Sequence, residues 1–231
     1  MDRDFYLTHL RAELDGFRAC LDGDLSVPVA HCGGWTVHDL AGHLGGGNLW
    51  AATAVTERRG RGGSARAPKD PAAVGPWFDG TATTLLDVLT DTDPDAEAWT
   101  FALPRTVAFW QRRRCLETLV HRWDAQNALG GAAPFEPALA HDGVSEVFDT
   151  FAPREVRKGR AAPPPHALRL VSTDTGGSWA YGPGDPVATV TGTAERLLLV
   201  LWGRVARDDR ALGWDGDRAA AEETLSGPLV P

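Results

Sequence analysis

The sequence predicts an α+β protein in two parts: an antiparallel four-helix bundle over residues 1–131, then a small α+β domain over residues 132–231. Three observations carry this expectation. Four segments ahead of Gly130-Gly131 repeat apolar residues at helical spacing, and four such helices suit a bundle. Gly130-Gly131-Ala132-Ala133-Pro134 couples a glycine stop to a proline, a boundary pattern. Beyond it, short strand-like runs alternate with turn signals, and one helical run is apolar nearly all round. A hydrophobic content of 43% and a charged content of 23% describe an ordinary globular chain. The net charge of −8 speaks against nucleic acid or an anionic membrane as partner. No segment approaches ~18 uninterrupted apolar residues. Met1-Asp2-Arg3-Asp4 leads into a mixed-polarity helix with no secretory apolar region. Cys20, Cys32 and Cys115 lack a C-x-x-C spacing and suit free thiols. A cytoplasmic location is expected.

Taken in order, Leu7, Leu10, Leu14, Phe17 and Leu21 make one apolar stripe, so the first helix is expected from about Asp4 to Asp22. Thr36 followed by Asp39 is a capping-box variant that starts the second helix near Val37. Its stripe is Val37, Leu40, Leu44 and Ala51; at about 100° per residue His38 projects away from it, while His43 sits on its shoulder. Gly45 to Gly47 each cost a helix about 1 kcal/mol relative to Ala. Either close packing or a helix break explains them, or room for a ligand above His43. Residues 58–76 read as a basic, Gly/Pro-rich loop: a surface connection, or a lid or cationic rim for an acidic substrate. A third helix is expected from about Trp77 to Thr90, and a fourth from about Thr106 to Leu129. The run Arg112-Arg113-Arg114 reads as a solvated face. In the second part the pattern predicts a helix over Ala138 to Phe151, strands at His166 to Ser172 and Ser178 to Tyr181 about a Thr175-Gly176-Gly177 turn, and a third strand at Val187 to Thr191. A buried helix then runs from Ala194 to Trp202, and Asp217 to Leu225 is a final short helix.

Chemistry is concentrated on the fourth helix. Leu116, Leu119, Val120 and Trp123 form its apolar stripe, and Glu117, His121 and Asp124 fall within about 60° of one another beside it. Glu117 and His121, on consecutive turns, can present an oxygen and a nitrogen to one metal ion. His43 is placed beside the core in the same way. Two histidines and a carboxylate leave an open coordination position, the arrangement of a catalytic zinc. A satisfied polar crevice without metal is the competing reading. Asp124 either orients an imidazole or is a surface acid.

Cys32-Gly33-Gly34-Trp35-Thr36-Val37-His38-Asp39-Leu40-Ala41-Gly42-His43-Leu44, Glu117-Thr118-Leu119-Val120-His121-Arg122-Trp123-Asp124 and Leu197-Leu198-Leu199-Val200-Leu201-Trp202-Gly203-Arg204 resemble the mycothiol-dependent maleylpyruvate isomerase family within the DinB-like metalloprotein superfamily. Gly33 departs from the proline common there. The resemblance implies a DinB-like four-helix bundle followed by a small α+β domain similar to sterol carrier proteins. It implies Zn²⁺, or another divalent metal, on His43, Glu117 and His121, with mycothiol as thiol cosubstrate. It also implies a catalytic arginine from the second domain, for which Arg204 is the match. An ordinary cation at a helix C-terminus is the competing reading of Arg204. Arg58, Arg59 and Arg61 are the next candidates for an acidic substrate. The implied activity is cis–trans isomerisation of the maleylpyruvate type, or a related S-transfer to a small electrophilic acid. The partners are then a small substrate and a low-molecular-weight thiol. The alternative is a non-catalytic, metal-containing binding module for an apolar ligand.

Overall fold

The computed structural model describes residues 1–60 and 65–231; Arg61 lies outside the described residues. The chain divides into two compact units, Met1–Ala133 and Pro134–Pro231.

The first unit is built from α1 (Arg3–Cys20), α2 (Val37–Thr56), α3 (Pro71–Asp91) and α4 (Val107–Ala128). Side-chain caps set three of the four starts. Asp2 accepts from the Phe5 amide, the Thr36–Asp39 capping box is complete in both directions, and Asp70 accepts from Ala72. The third helix begins earlier than the sequence suggests, at Pro71, because Asp70 caps it and a proline in the first turn gives up an amide that has no helical partner anyway. Gly75 then lets α3 lie against α1: a Cβ there would stand 2.8 Å from the Arg18 guanidinium carbon.

α1 packs chiefly on α4, and α2 on α3. Arg3 donates to the Thr90 carbonyl near the end of α3, and Arg18 pairs with Asp79 near its start, so α1 and α3 are antiparallel. His43 meets Glu117 while Trp50 meets Trp110, so α2 and α4 are antiparallel as well. α2 and α3 run side by side in the same direction, Gly45 facing Trp77 and Asn48 facing Thr81. Parallel neighbours need a return connection about as long as a helix, which is why so much chain separates Thr56 from Pro71. Leu10, Phe17, Leu40, Leu44, Phe78, Leu85 and Leu119 are fully buried, each stabilising the fold by about 1.5–3 kcal/mol relative to exposure.

The second unit opens with α5 (Pro137–Glu146), which passes through one π-helical turn, Val147–Phe151, into α6 (Ala152–Arg157). The helical stretch therefore outruns the expected end at Phe151. Pro153 withdraws a donor from the ladder at the junction, and the Ala152 amide reaches back to Val147. A mixed sheet follows, of β1 (Ala167–Ser172), β2 (Ser178–Tyr181), β3 (Pro186–Gly192) and β4 (Gly213–Gly216), in the order β2-β1-β3-β4. β1 pairs antiparallel with β2 and parallel with β3; β4 pairs antiparallel with β3, Trp214 opposite Val190. β4, Gly-Trp-Asp-Gly, was missed in the sequence pattern because four residues with a glycine at each end carry no strand periodicity. α7 (Ala194–Leu201) lies between β3 and β4 in the chain and packs on α5, where Gly143 admits the Leu198 side chain. α8 (Arg218–Thr224) is capped by Asp217 and closes the chain. Among the described residues no helix is long and apolar enough to cross a membrane.

Candidate metal centre

The capping box that starts α2 at Val37 fixes the phase of everything after it. His43 faces α4, while His38 points the other way, its Nε2 2.8 Å from the Pro68 carbonyl. On α4, Arg113, Glu117 and His121 follow one another at intervals of four residues, so they share one side of the helix.

His43 Nε2 lies 2.9 Å from Glu117 Oε1, and His121 Nε2 lies 3.3 Å from the same oxygen. The two imidazoles meet edge to face, centroids 5.0 Å apart and planes at 81°. One donor atom from each of His43, Glu117 and His121 lies within 4.8 Å of the others. Tetrahedral nitrogen and oxygen ligands at ~2.1 Å from zinc stand about 3.4 Å apart, so the two measured separations need only a small opening. The donor set fits a divalent ion of the zinc type.

Two of the three donors, Glu117 and His121, are held from behind. The second Glu117 oxygen pairs with Arg113. His121 Nδ1 lies 2.9 Å from Asp124 Oδ2, and the Asp124 side chain is fully buried. Its place is therefore behind the imidazole and not on the surface. The Nδ1–H then donates to the carboxylate and the Nε2 lone pair faces Glu117 and His43. The His43 imidazole is pushed down to about 3 by its partial burial, then by its neighbours His121, Arg114 and Arg113. It is thus a neutral base near pH 7, the form in which histidine binds a metal. Its outer edge keeps 38% of the side-chain surface open to water, and the half-exposed ring of Trp35 lies 5.0 Å from it.

Arg113 and Arg114 correct the reading of the Arg112–Arg114 run as a solvated face: both are buried. Pairing and hydrogen bonding make this tolerable. Arg113 has Glu117, and Arg114 donates to the Leu44 carbonyl at 3.2 Å and Asn48 Oδ1 at 2.8 Å. Burial, and then Arg113, push the Arg114 guanidinium down to about 9. The signal for Arg113 was present in the sequence as its spacing of four from Glu117. The glycines of α2 serve close packing. A Cβ on Gly45 would stand 2.4 Å from the Trp77 ring, and one on Gly47 2.7 Å from Arg114 Nη1.

Cys32, on the loop before α2, brings its Sγ to 3.5 Å from Asp124 Oδ2. Sequence reasoning gave it no local partner, because the partner comes from α4. Arg58 and Arg59 are exposed and pair with Glu97 and Glu57. Arg204 belongs to the second unit. There it follows α7 as the second residue past the cap, its amide on the Leu199 carbonyl and the Gly203 amide on Val200, with Gly203 at φ +67°. Its guanidinium donates to the Trp202 carbonyl at 2.8 Å and lies 5.5 Å from the centroid of that ring.

Residues 7–126 match the mycothiol maleylpyruvate isomerase N-terminal domain, and residues 138–223 match the C-terminal domain of the same family. The uncharacterized protein Rv0036c of Mycobacterium tuberculosis strain H37Rv is 30% identical, over 96% of each chain; MT0041 of strain CDC 1551 matches equally. Among solved structures, the fold is similar to the mycothiol-dependent maleylpyruvate isomerase, with TM-score 0.71, 16% identity and 93% of each chain covered. A mutant of that enzyme gives TM-score 0.70 and 14% identity over the same shares.

Proposed function

Because this chain belongs to the mycothiol maleylpyruvate isomerase family, we propose that it is a metal- and thiol-dependent enzyme acting on a small electrophilic acid, as a cis–trans isomerase of the maleylpyruvate type or a related S-transferase. The observation that carries the reading is the convergence of His43 Nε2, Glu117 Oε1 and His121 Nε2, with Glu117 held from behind by Arg113 and His121 by Asp124. Mycothiol enters through the family, and zinc through the donor set. When bound, such an ion would keep a coordinated thiol deprotonated near neutral pH.

The rest of the work falls to the chain. His43 stays neutral and offers a lone pair without competition from protons. Arg113 fixes the Glu117 carboxylate so that one oxygen faces the two imidazoles. Asp124 holds the His121 ring proton on Nδ1. Three protein ligands leave a position open to a thiol. The Trp35 ring beside His43 gives the rim an apolar wall. We assign the substrate carboxylate to Arg204, whose planar fork suits bidentate recognition. No protein thiol need act as nucleophile.

The test is turnover of a panel of small unsaturated and electrophilic acids by pure protein, with and without added thiol. Thiol-dependent turnover with the thiol recovered identifies an isomerase; one thiol consumed per product identifies an S-transferase. Turnover equal with and without thiol, or none in the metal-loaded protein, refutes the reading.

A further inference from the structure

A second group of metal-capable donors lies on the far side of His121. Cys32 Sγ is 3.5 Å from Asp124 Oδ2, Asp124 Oδ2 is 2.9 Å from His121 Nδ1, and one donor atom from each residue lies within 4.8 Å of the other two. A thiolate, an imidazole and a carboxylate around one tetrahedral ion stand about 3.3–3.6 Å apart. The measured Sγ–Oδ2 distance is already in that range. The Nδ1–Oδ2 distance needs to open by about half an ångström. Asp124 and His121 are buried, whereas Cys32 is partly exposed. Next to it a Cβ built on Gly33 or Gly34 would meet nothing within 4 Å, so the loop that carries Cys32 is not packed in at those two positions.

We propose that Cys32, His121 Nδ1 and Asp124 form a second metal position, suited to a thiophilic divalent cation and mutually exclusive with the position at His43, Glu117 and His121. Exclusivity follows from the proton on His121. A neutral imidazole carries one N–H. With the proton on Nδ1, the ring donates to Asp124 and turns its Nε2 lone pair toward Glu117 and His43. With the proton on Nε2, the ring donates to Glu117 Oε1 at 3.3 Å and turns its Nδ1 lone pair toward Cys32 and Asp124. Binding at the second position therefore moves the His121 proton from one nitrogen to the other and releases the Cys32 S–H proton to water. No electron is transferred. The thiolate sets the preference, since soft sulfur favours cations of the cadmium kind over hard ones. A soft ion held there withdraws His121 from the first position. That consequence for activity rests on the function proposed above; the binding itself does not.

The experiment is a Cd²⁺ titration of the metal-free full chain, followed by the ultraviolet thiolate-to-cadmium charge-transfer band. The wild type should develop the band, Glu117→Gln should keep it, and Cys32→Ser should lose it. In the unsubstituted chain, saturating Cd²⁺ should slow alkylation of Cys32, read by peptide mapping, by about tenfold or more, because the thiolate is the reactive form and is sequestered. A band undiminished in Cys32→Ser assigns the sulfur to Cys20 or Cys115 and overturns the proposal. So does Cd²⁺ binding without a band, absence of Cd²⁺ binding, or an alkylation rate unchanged by Cd²⁺. The functional reading fails differently: it requires Zn²⁺ binding that Glu117→Gln weakens and Cys32→Ser does not, and that pair of variants separates the two failures.

Discussion

Asp124→Asn is the sharpest single perturbation of the metal centre, because it changes one charge and almost no volume. Asp124 is buried, its side chain fully so, and its Oδ2 takes the His121 Nδ1–H at 2.9 Å. Asn keeps the shape but loses in two ways. It removes a negative charge that the divalent ion would feel through the imidazole, in surroundings where water does not screen it. It also offers an NH₂ that can donate to Nδ1, which favours the tautomer with the proton on Nε2 and closes the lone pair facing Glu117 and His43. Loss of such a partner typically costs 10–100-fold in metal affinity, or about 1.4–2.7 kcal/mol. Full burial of the carboxylate places the expectation in the upper half of that range. The assay is competition for Zn²⁺ against a chromophoric chelator, with near-ultraviolet circular dichroism to confirm the fold. Affinity within about threefold of wild type, in a folded variant, would refute the idea that Asp124 sets the His121 tautomer.

The other expectations are narrower. Arg204→Lys should lower kcat/KM by about tenfold for each ~1.4 kcal/mol of lost carboxylate recognition, with metal content and Tm unchanged; wild-type kinetics would leave Arg204 as a cation after a helix end. Gly47→Ala should destabilise the first unit by about 1–2 kcal/mol, because a Cβ 2.7 Å from Arg114 Nη1 overpacks a guanidinium already bonded to Leu44 and Asn48, outweighing the ~1 kcal/mol gain in helix propensity. A higher urea midpoint in Gly47→Ala would contradict this. The hydrogen bond from Arg160 holds the Glu155 carboxyl below its usual 4.5 against the opposing effect of burial. Its native pKa is lowered, so its contribution is present above about 4.5 and lost as pH falls through the native value. Stability of wild type and Glu155→Gln, followed by tryptophan fluorescence, should therefore differ at neutral pH and converge in acid; a constant difference would contradict the ion-pair account.

Much of the fold was legible because helices announce themselves by period and by caps. The Thr36–Asp39 box located the start of α2 at Val37, and with it the opposite headings of His38 and His43. The α4 stripe likewise brought Glu117 and His121 to one side. Elements without periodicity were harder: β4 is too short and glycine-rich to register, and Pro71 and Pro76 disguised the first turns of α3 as loop. The surroundings of the site depend on tertiary pairing that no local pattern states. Arg113 and Arg114 look like a solvated charge run until Glu117, Leu44 and Asn48 are seen to receive them. Gly45 and Gly47 permit two readings until Trp77 and Arg114 are seen filling the space beside them. Cys32 and Asp124 are distant in sequence, and only the fold brings them within reach.

The central claim is that His43, Glu117 and His121 hold a divalent metal. Its most direct measurement is metal content by elemental analysis of the wild type beside His43→Ala, Glu117→Ala, His121→Ala and His38→Ala. The account predicts about one zinc equivalent per wild-type chain, as a single three-ligand site requires, its loss in the first three variants, and its retention in His38→Ala, whose imidazole turns away to the Pro68 carbonyl. A wild-type chain that takes up no metal when zinc is supplied, or a His43→Ala variant that keeps it while His38→Ala loses it, would contradict the account.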